Sequence, residues 1–320
     1  MDLNTKSINP STPIYQERGI WHRLLNLMIL VFGSSGYIGQ VLVRKLRLLG
    51  IPYYESSRET VDLTDPFSIR QWRSTFEASK QVTPLLLVYL ISQPKITLWD
   101  LADINKSGEM LSSICKVFPD TPLVFTSSID VYGDCPSLPI TESTEINPKS
   151  MYAMSKVSSE TTIFTEYDTS KTLVLRLPGV YGGSLSRNGV FNSFCKDIYE
   201  KGNVVLHDRS VLDLRRDWVS VHDLTSYIIG LANSFIPGTI NFITGKSKTI
   251  ADWLDTFAQL ADASYSVNIQ NSIDNFKSHH LIFDNKGFQS VSNFQFTGIN
   301  SKTFHFPTPS DKSQLNYDNY

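Results

Sequence analysis

The sequence ILVFGSSGYIGQ occupies residues 29–40 of a 320-residue chain and joins an apolar run to an amphipathic stretch. Gly33 permits a tight turn after a strand, Gly36 lets a backbone approach a pyrophosphate, and Gly39 lets a helix pack closely on the strand. The amino end of that helix favours negative charge. This stretch therefore predicts the phosphate-binding turn of a dinucleotide-binding fold. The residues expected to contact the cofactor here are Gly33, Ser35, Gly36, Tyr37, Ile38 and Gly39.

On both sides of this turn, short apolar runs alternate with helical patterns from residue 27 to about residue 180. Strands that alternate with helices form parallel sheets, so the pattern predicts an α/β fold with a doubly wound, Rossmann-type parallel sheet. After residue 180 the pattern is less regular and predicts a smaller C-terminal substrate-binding lobe. The expected segments are an N-terminal extension (1–26), the dinucleotide-binding domain (27–180), the lobe interleaved with the Rossmann core (181–299) and a tail (300–320).

The composition limits the classes of function. Hydrophobic residues make up 41% and charged residues 19% of the chain, which is typical of a globular protein. The formal net charge is −2 without a dense basic run, unlike most nucleic-acid-binding proteins. The apolar runs are too short to span a bilayer, no secretory signal is found, and the 3 cysteines lie far apart. We therefore expect a cytoplasmic protein that binds a small molecule, with no metal, nucleic-acid or membrane partner.

The segment YYESSR, residues 53–58, lies where dinucleotide-binding folds distinguish NAD from NADP. An acidic residue there binds the ribose 2′-hydroxyl, whereas an arginine accommodates the 2′-phosphate. Glu55 offers the first chemistry and Arg58 the second. Hydroxyls at Ser56 and Ser57 add to the phosphate-binding character, so the segment favours NADP(H). NAD(H), held through Glu55, is the alternative.

A candidate proton-transfer pair lies in SMYAMSK, residues 150–156. Tyr152 and Lys156 are one helical turn apart, so a helix places them on one face. An ammonium beside the phenol is expected to lower the tyrosine pKa and make the phenol a usable acid or base near neutral pH. For this spacing alone, an ordinary surface pair is the alternative.

Taken together, the motifs resemble the extended short-chain dehydrogenase/reductase family, the NAD(P)-dependent epimerase/dehydratase group that acts mainly on nucleotide sugars. The resemblance covers residues 28–245 and implies a Rossmann sheet of about seven strands. It also implies a homodimer formed through the helices at 101–117 and 151–164. The motifs, in chain order, are GSSGYIG, Asp62-Leu63, SSIDVYG, YAMSK, LRLPGVYGG and RRDWVSVHDL.

The resemblance also implies roles for individual residues. Tyr152 is the acid/base, Ser128 hydrogen-bonds the reacting oxygen, and Lys156 holds the nicotinamide ribose, while Asn105 completes a tetrad. Arg216 matches an arginine that clamps the substrate diphosphate. The other implied cofactor positions are Arg58, Asp62, Leu63, Ile91, Ser92 and Pro178, and the expected substrate set is Ser128, Asn192 and Arg216. For Arg216, a structural ion pair with Asp217 or Asp223 is the alternative.

Some positions depart from the family pattern. Ile129 and Asp130 occupy the place of the acidic pair of sugar-nucleotide 4,6-dehydratases, and the missing first acid argues against dehydration. Ile91 and Ser92 replace small cofactor-facing residues. Gly179 stands where many nucleotide-sugar enzymes have a substrate-contacting asparagine.

We therefore expect an oxidoreductase, specifically an NADP(H)-dependent reductase that transfers a hydride to a 4-keto sugar nucleotide. Within the same family, the alternative is a nucleotide-sugar 4-epimerase that keeps NAD bound. The alternative of another class is a catalytically idle nucleotide-binding scaffold or sensor, against which the intact set of Ser128, Tyr152 and Lys156 argues.

Overall fold

The structure is a computed structural model of the chain. It describes residues 27–80, 83–92, 101–134, 138–184, 190–270, 280–299 and 304–305. The N-terminal extension expected over 1–26 lies outside the described residues, as does the tail expected over 300–320 except for Phe304–His305.

A parallel sheet forms the centre of the fold. Its strands, in spatial order, are β2 (Tyr53–Ser56), β1 (Leu27–Phe32), β3 (Thr83–Tyr89), β4 (Leu123–Ser128), β5 (Thr172–Leu177) and β11 (Gly238–Asn241). From β1 the chain passes first to β2 on one side and then to β3 on the other. The carboxyl edge beside such a reversal is where open α/β sheets bind ligands.

The doubly wound parallel sheet predicted from the sequence is confirmed, with one difference in strand number. The described part of the sheet has 6 strands, and the expected seventh is not among them. Residues 57–65, which follow β2 directly, form turns. Asp62 organises one of these turns by accepting hydrogen bonds from Thr64.

Helices cover both faces of the sheet. Alternate residues of β1 enter opposite cores, with Leu30 and Phe32 on one face and Ile29 and Val31 on the other. This burial on both faces explains why the strand is apolar throughout. The helices on the Phe32 face are α2 (Pro66–Lys80), α3 (Leu101–Val117) and α4 (Met151–Glu166), and those on the Val31 face are α1 (Tyr37–Leu49), α6 (Val221–Leu231) and α8 (Lys286–Val291).

The C-terminal lobe has its own aromatic core. Helices α5 (Val190–Lys201) and α7 (Ile250–Ala261) pack against a parallel strand pair, β8 (Asn203–Leu206) and β13 (Ser266–Ile269). The core between them includes Tyr181, Phe191, Trp218, Trp253 and Phe257. Because β11 pairs with β5 in the central sheet, the chain leaves the Rossmann layer for the lobe and then returns to it.

Short strand pairs complete the fold. They are β6 (Gly179–Tyr181) with β10 (Trp218–Ser220), β9 (Arg215–Arg216) with β12 (Lys248–Thr249), and β7 (Gly183–Ser184) with β14 (Phe304–His305). The first pair begins directly after the carboxyl end of β5 and so carries lobe residues to the ligand-binding edge. None of the helices in the described ranges is long and apolar enough to cross a membrane.

Candidate active site

The glycine-rich turn forms a cradle at the carboxyl end of β1. Gly33 has a φ of +91°, and its carbonyl accepts the Gly36 N–H at 3.1 Å. A Cβ on Gly39 would lie 2.2 Å from the Gly33 oxygen, and a Cβ on Gly33 would lie 3.1 Å from the Ile91 nitrogen. No side chain caps α1 at Gly36. The first N–H groups of the helix can therefore receive an anion, and the cradle fits the pyrophosphate of a dinucleotide.

The side chain of Tyr37 connects this turn to the lobe. Its hydroxyl donates a hydrogen bond to the Gly182 oxygen at 2.7 Å and hydrogen-bonds Asn192. Burial raises the pKa of Tyr37 far above its usual value. Asn192 is fully buried on α5, so the structure places it inside the lobe, behind Tyr37, and not at the cleft surface where a substrate residue was expected. Ser35 is exposed in the turn, and Ile38 is half-buried.

The structure brings Ser128 and Tyr152 together at the carboxyl edge of the sheet. Ser128 is the last residue of β4. Ser150 caps α4 by accepting the Ala153 N–H at 3.1 Å, which places Tyr152 in the first turn of the helix. The side chains of Ser128 and Tyr152 are hydrogen-bonded. An ordinary surface pair is thereby excluded for Tyr152 and Lys156, because Lys156 is also buried.

Lys156 is held between the ends of two neighbouring strands. Its Nζ donates to the Thr126 oxygen at 2.9 Å and to the Ile91 oxygen at 3.5 Å. It lies 5.8 Å from the centre of the Tyr152 ring. Burial lowers the pKa of Lys156 to about 8, and the nearby Glu160 acts in the opposite direction. Lys156 is therefore charged at neutral pH, and its ammonium lies between the two strand ends and the Tyr152 ring.

The pKa of Tyr152 differs from the sequence-based expectation. Burial, assisted by the negative charge of Asp130, raises it to about 12, whereas hydrogen bonds with Ser128 and Ser92 lower it. The expected lowering by Lys156 is wrong because desolvation of the phenol dominates and the ammonium is hydrogen-bonded to backbone carbonyls. Tyr152 thus holds its proton at neutral pH.

Ser92 contacts Tyr152. Its hydroxyl hydrogen-bonds Tyr152, although the sequence predicted only a cofactor-facing position. Ile91 contributes backbone groups, since its nitrogen packs near Gly33 and its oxygen accepts from Lys156. Pro178 is buried directly after β5. Asn105 lies in α3, and its side chain is outside the described part of the structure.

Asp130 joins the site although the sequence predicted no role for it. The Ser128 hydroxyl accepts the Asp130 N–H at 3.2 Å and also hydrogen-bonds the Asp130 side chain. Burial raises the pKa of Asp130, and the positive charge of Arg216 counteracts this. The signals in the sequence are that Asp130 lies two residues after the strand that ends at Ser128 and that it occupies the second position of the dehydratases' acidic pair.

Arg216 lies beside Asp130, with its pKa lowered by burial and raised by that carboxylate. The two carboxylates considered as alternative partners, Asp217 and Asp223, are hydrogen-bonded to other groups. Asp217 accepts hydrogen bonds from Thr244 and the Gly245 N–H, both at 2.7 Å. Asp223 accepts from Thr297 at 2.7 and 3.0 Å. Through Asp130, which hydrogen-bonds Ser128, Arg216 is linked to the residues at the carboxyl edge of the sheet.

Glu55 and Arg58, at and after the end of β2, differ in their position relative to the glycine-rich turn. Glu55 pairs with Val31, and its exposed side chain interacts with Arg47 of α1. Ser56 pairs with Phe32, so the chain passes the level of Gly33 only after Ser56. Arg58 is exposed beyond that level. Arg58 is therefore the better placed of the two residues for a group that extends from the glycine cradle.

The two residues of the Asp62-Leu63 pair stabilise the fold, one through a turn and the other through the core. The Asp62 carboxylate accepts from the Thr64 N–H at 2.9 Å and from the Thr64 hydroxyl at 2.7 Å, and these bonds lower its pKa. Leu63 packs in the core on the Phe32 face. Within the described residues, no group of three or more His, Cys, Asp or Glu side chains could hold a metal ion.

Several known structures share this fold. RMD from Pseudomonas aeruginosa, complexed with NADPH, superposes with a TM-score of 0.69 at 18% identity, covering 86% of this chain and 95% of that one. UDP-glucose 4-epimerase from Thermus thermophilus, in complex with NAD, gives a TM-score of 0.69 at 21% identity over 86% of this chain and 96% of that one. A dTDP-4-dehydrorhamnose reductase from Clostridium acetobutylicum gives 0.65 at 16% identity, with coverages of 82% and 92%. At these identities the similarity establishes the fold alone.

The family assignment rests on the sequence profile. No curated protein sequence matches the chain significantly. The profile described as NAD dependent epimerase/dehydratase family, however, matches residues 29–241, which is most of the chain. The resemblance inferred from the motifs is therefore confirmed. The chain belongs to the NAD-dependent epimerase/dehydratase family of enzymes.

Proposed function

We propose that the protein is an NADP(H)-dependent reductase of a 4-keto sugar nucleotide. The observation that carries this proposal is the protonated Tyr152, whose pKa is raised to about 12 and whose hydroxyl is hydrogen-bonded to Ser128. Reduction of a ketone needs a proton donor for the oxygen that becomes a hydroxyl. A 4-epimerase begins instead by removing a proton from a substrate hydroxyl. Tyr152 would do this poorly, because a phenol with a raised pKa is rarely ionised at neutral pH.

The cofactor preference follows from the cradle and the end of β2. The N–H groups at the start of α1 would hold the pyrophosphate, and Arg58 would hold the 2′-phosphate of NADP(H). Lys156 would contact the nicotinamide ribose. A bound reduced nicotinamide supplies the hydride.

The residues of the chain would then control binding and proton transfer. Ser128 and Tyr152 would hydrogen-bond the substrate carbonyl oxygen and orient the ketone. Tyr152 would donate its hydroxyl proton to that oxygen, and the hydroxyls of Ser128 and Ser92, which hydrogen-bond Tyr152, would stabilise the phenolate that remains. Arg216 would bind the substrate diphosphate, for which a guanidinium has the matching geometry.

Assembly and location stay predictions. The resemblance implies a homodimer through α3 and α4, and these helices pack on each other through a close contact in which a Cβ on Gly108 would lie 3.0 Å from Thr162. A cytoplasmic location is likewise expected from the sequence alone. Light scattering of the purified protein would test the dimer.

The test of the proposed function is oxidation of NADPH in the presence of nucleoside-diphosphate 4-keto sugars. We expect turnover by the wild type, and a loss of about 10²- to 10⁴-fold in kcat for Tyr152→Phe with unchanged affinity for NADPH. Tyr53→Phe, on β2, is the matched control and should retain activity. An active Tyr152→Phe variant would contradict the assignment. Interconversion of C4 epimers without net NADPH oxidation would identify an epimerase instead.

A further inference from the structure

Gly179 and Trp218 have an unusual steric relationship. A Cβ built on Gly179 would lie 2.3 Å from both Cδ1 and Nε1 of the Trp218 indole, far inside any real contact distance. Gly179 is not among the residues with positive φ, so its backbone conformation would accept other residues. The glycine is therefore needed for space. The indole edge occupies the place that a side chain at position 179 would take.

The indole is held rigidly in this place. Gly179 of β6 and Trp218 of β10 are direct partners in a parallel pair. The Trp218 ring packs edge-on against Phe191, with centroids 4.4 Å apart, and against Trp253 at 5.3 Å. Only 6% of Trp218 is exposed, whereas Gly179 itself is exposed. The part of the indole beside Gly179 is thus at the boundary between the lobe core and open space.

That boundary lies in the candidate active site. Leu177, two residues before Gly179, pairs with Ser128 across β5 and β4. Arg216, two residues before Trp218, interacts with Asp130, which hydrogen-bonds Ser128. The Gly179 and Trp218 pair is therefore between the proton-transfer residues and the arginine proposed for the diphosphate.

We propose that the Trp218 indole, exposed to the cleft by Gly179, is a specificity-determining residue that donates a hydrogen bond from Nε1 to an oxygen of the sugar nucleotide. This inference rests on the proposed substrate class. An asparagine at position 179, as in many nucleotide-sugar enzymes, offers a donor and an acceptor, whereas an indole is a donor only. The substrate group at this position is therefore an acceptor oxygen, and the rigid ring excludes bulkier groups beside it.

The test compares binding of UDP-glucose and dTDP-glucose by calorimetry, with NADP⁺ present, so that no turnover is required. Trp218→Phe keeps an aromatic ring in the lobe core and removes the N–H. We expect its affinity for the better of the two ligands to fall about two- to tenfold, as for the loss of one hydrogen bond, with unchanged affinity for NADP⁺. Trp72→Phe, which removes a buried indole N–H without a hydrogen-bond partner on α2, is the control and should not change ligand affinity.

A second pair of variants tests the steric relationship. Gly179→Asn alone should lose ligand binding, because its side chain and the indole cannot share the space. Adding Trp218→Phe to Gly179→Asn should restore part of the affinity, because the smaller ring makes room for the amide. Equal affinities of wild type and Trp218→Phe would overturn the inference, as would a wild type that binds neither sugar nucleotide. If the protein binds these sugar nucleotides but does not oxidise NADPH with nucleoside-diphosphate 4-keto sugars, the proposed reductase is contradicted, while the Trp218 comparison stays decisive.

Discussion

Lys156 lies one helical turn after Tyr152 on α4, with its Nζ 5.8 Å from the centre of the tyrosine ring. Burial affects the two side chains in opposite directions, lowering the pKa of Lys156 to about 8 and raising that of Tyr152 to about 12. Both groups therefore carry a proton at neutral pH. Lys156 is the one that loses it first as the pH rises.

This order of titration predicts the alkaline limb of the pH profile. The charged form of Lys156 is present below pH 8 and is lost above it, so kcat/KM for reduction should fall as the pH rises through about 8. Lys156→Arg should be less active but show no fall near pH 8, because arginine does not titrate there. The measurement is NADPH oxidation from pH 6 to 10. A limb at pH 8 that persists in Lys156→Arg would contradict this origin.

The position of Arg58 beyond the level of Gly33 predicts the basis of cofactor selection. Arg58→Ala should weaken NADPH binding by about 10- to 100-fold, as for loss of a charged hydrogen bond, and leave NADH binding unchanged. The exposed Arg70→Ala on α2 is the matched control for a lost surface charge. Fluorescence titration with both cofactors measures the effect. If Arg58→Ala weakened neither cofactor, or both equally, Arg58 would not hold the 2′-phosphate.

The short distance between Gly39 and the Gly33 oxygen predicts that a methyl group at position 39 destabilises the fold, whereas one at position 230 does not. Gly39→Ala places a Cβ 2.2 Å from the Gly33 oxygen, which is backbone and cannot move aside freely. We expect a loss of about 1–3 kcal/mol in the free energy of unfolding, together with weaker cofactor binding. Gly230→Ala on α6, whose Cβ would meet nothing within 4 Å, should gain up to about 1 kcal/mol from helix propensity. Urea denaturation of both variants separates the effect of the clash from the effect of helix propensity. Equal free energies of unfolding for Gly39→Ala and Gly230→Ala would contradict the packing argument.

The ion pair behind the site predicts a large stability effect. Glu160 and Arg176 lie 2.7 Å apart with side chains only 3% and 5% exposed, and Glu160 also accepts a hydrogen bond from Ser127. Glu160→Gln leaves the guanidinium buried without its counter-charge and should cost about 3–5 kcal/mol. The exposed pair Lys171 and Asp120 is the control, and Asp120→Asn should cost less than about 1 kcal/mol. Similar unfolding midpoints for the two variants would be inconsistent with a buried pair.

The features that could be predicted from the sequence are those encoded locally. The Gly33 to Gly39 turn and the alternation of apolar runs with helical patterns predict the sheet, because a central strand such as β1 is apolar on both faces. The spacing of Tyr152 and Lys156 predicts their common helix face. The number of strands was overestimated, because the resemblance implied about seven and the described sheet has 6.

The features that could not be predicted depend on contacts between distant segments. The hydrogen bond of Tyr152 with Ser92 and the electrostatic effect of Asp130 on Tyr152 arise where segments that are distant in the chain meet, and no spacing in the sequence predicts them. Burial likewise decides the pKa of Tyr152 against the expected effect of Lys156. The place of Asn192 behind Tyr37 follows from packing of α5 on the glycine turn, which a motif does not show.

The most direct test of the central claim is transfer of deuterium from NADPH deuterated at nicotinamide C4 to a nucleoside-diphosphate 4-keto sugar, followed by mass spectrometry and NMR of the product. A reductase should place deuterium on C4 of the sugar in the wild type, with one NADP⁺ formed for each product molecule, and Tyr152→Phe should form this product about 10²- to 10⁴-fold more slowly. A product without deuterium, or epimers formed without net consumption of the cofactor, would contradict the reductase account.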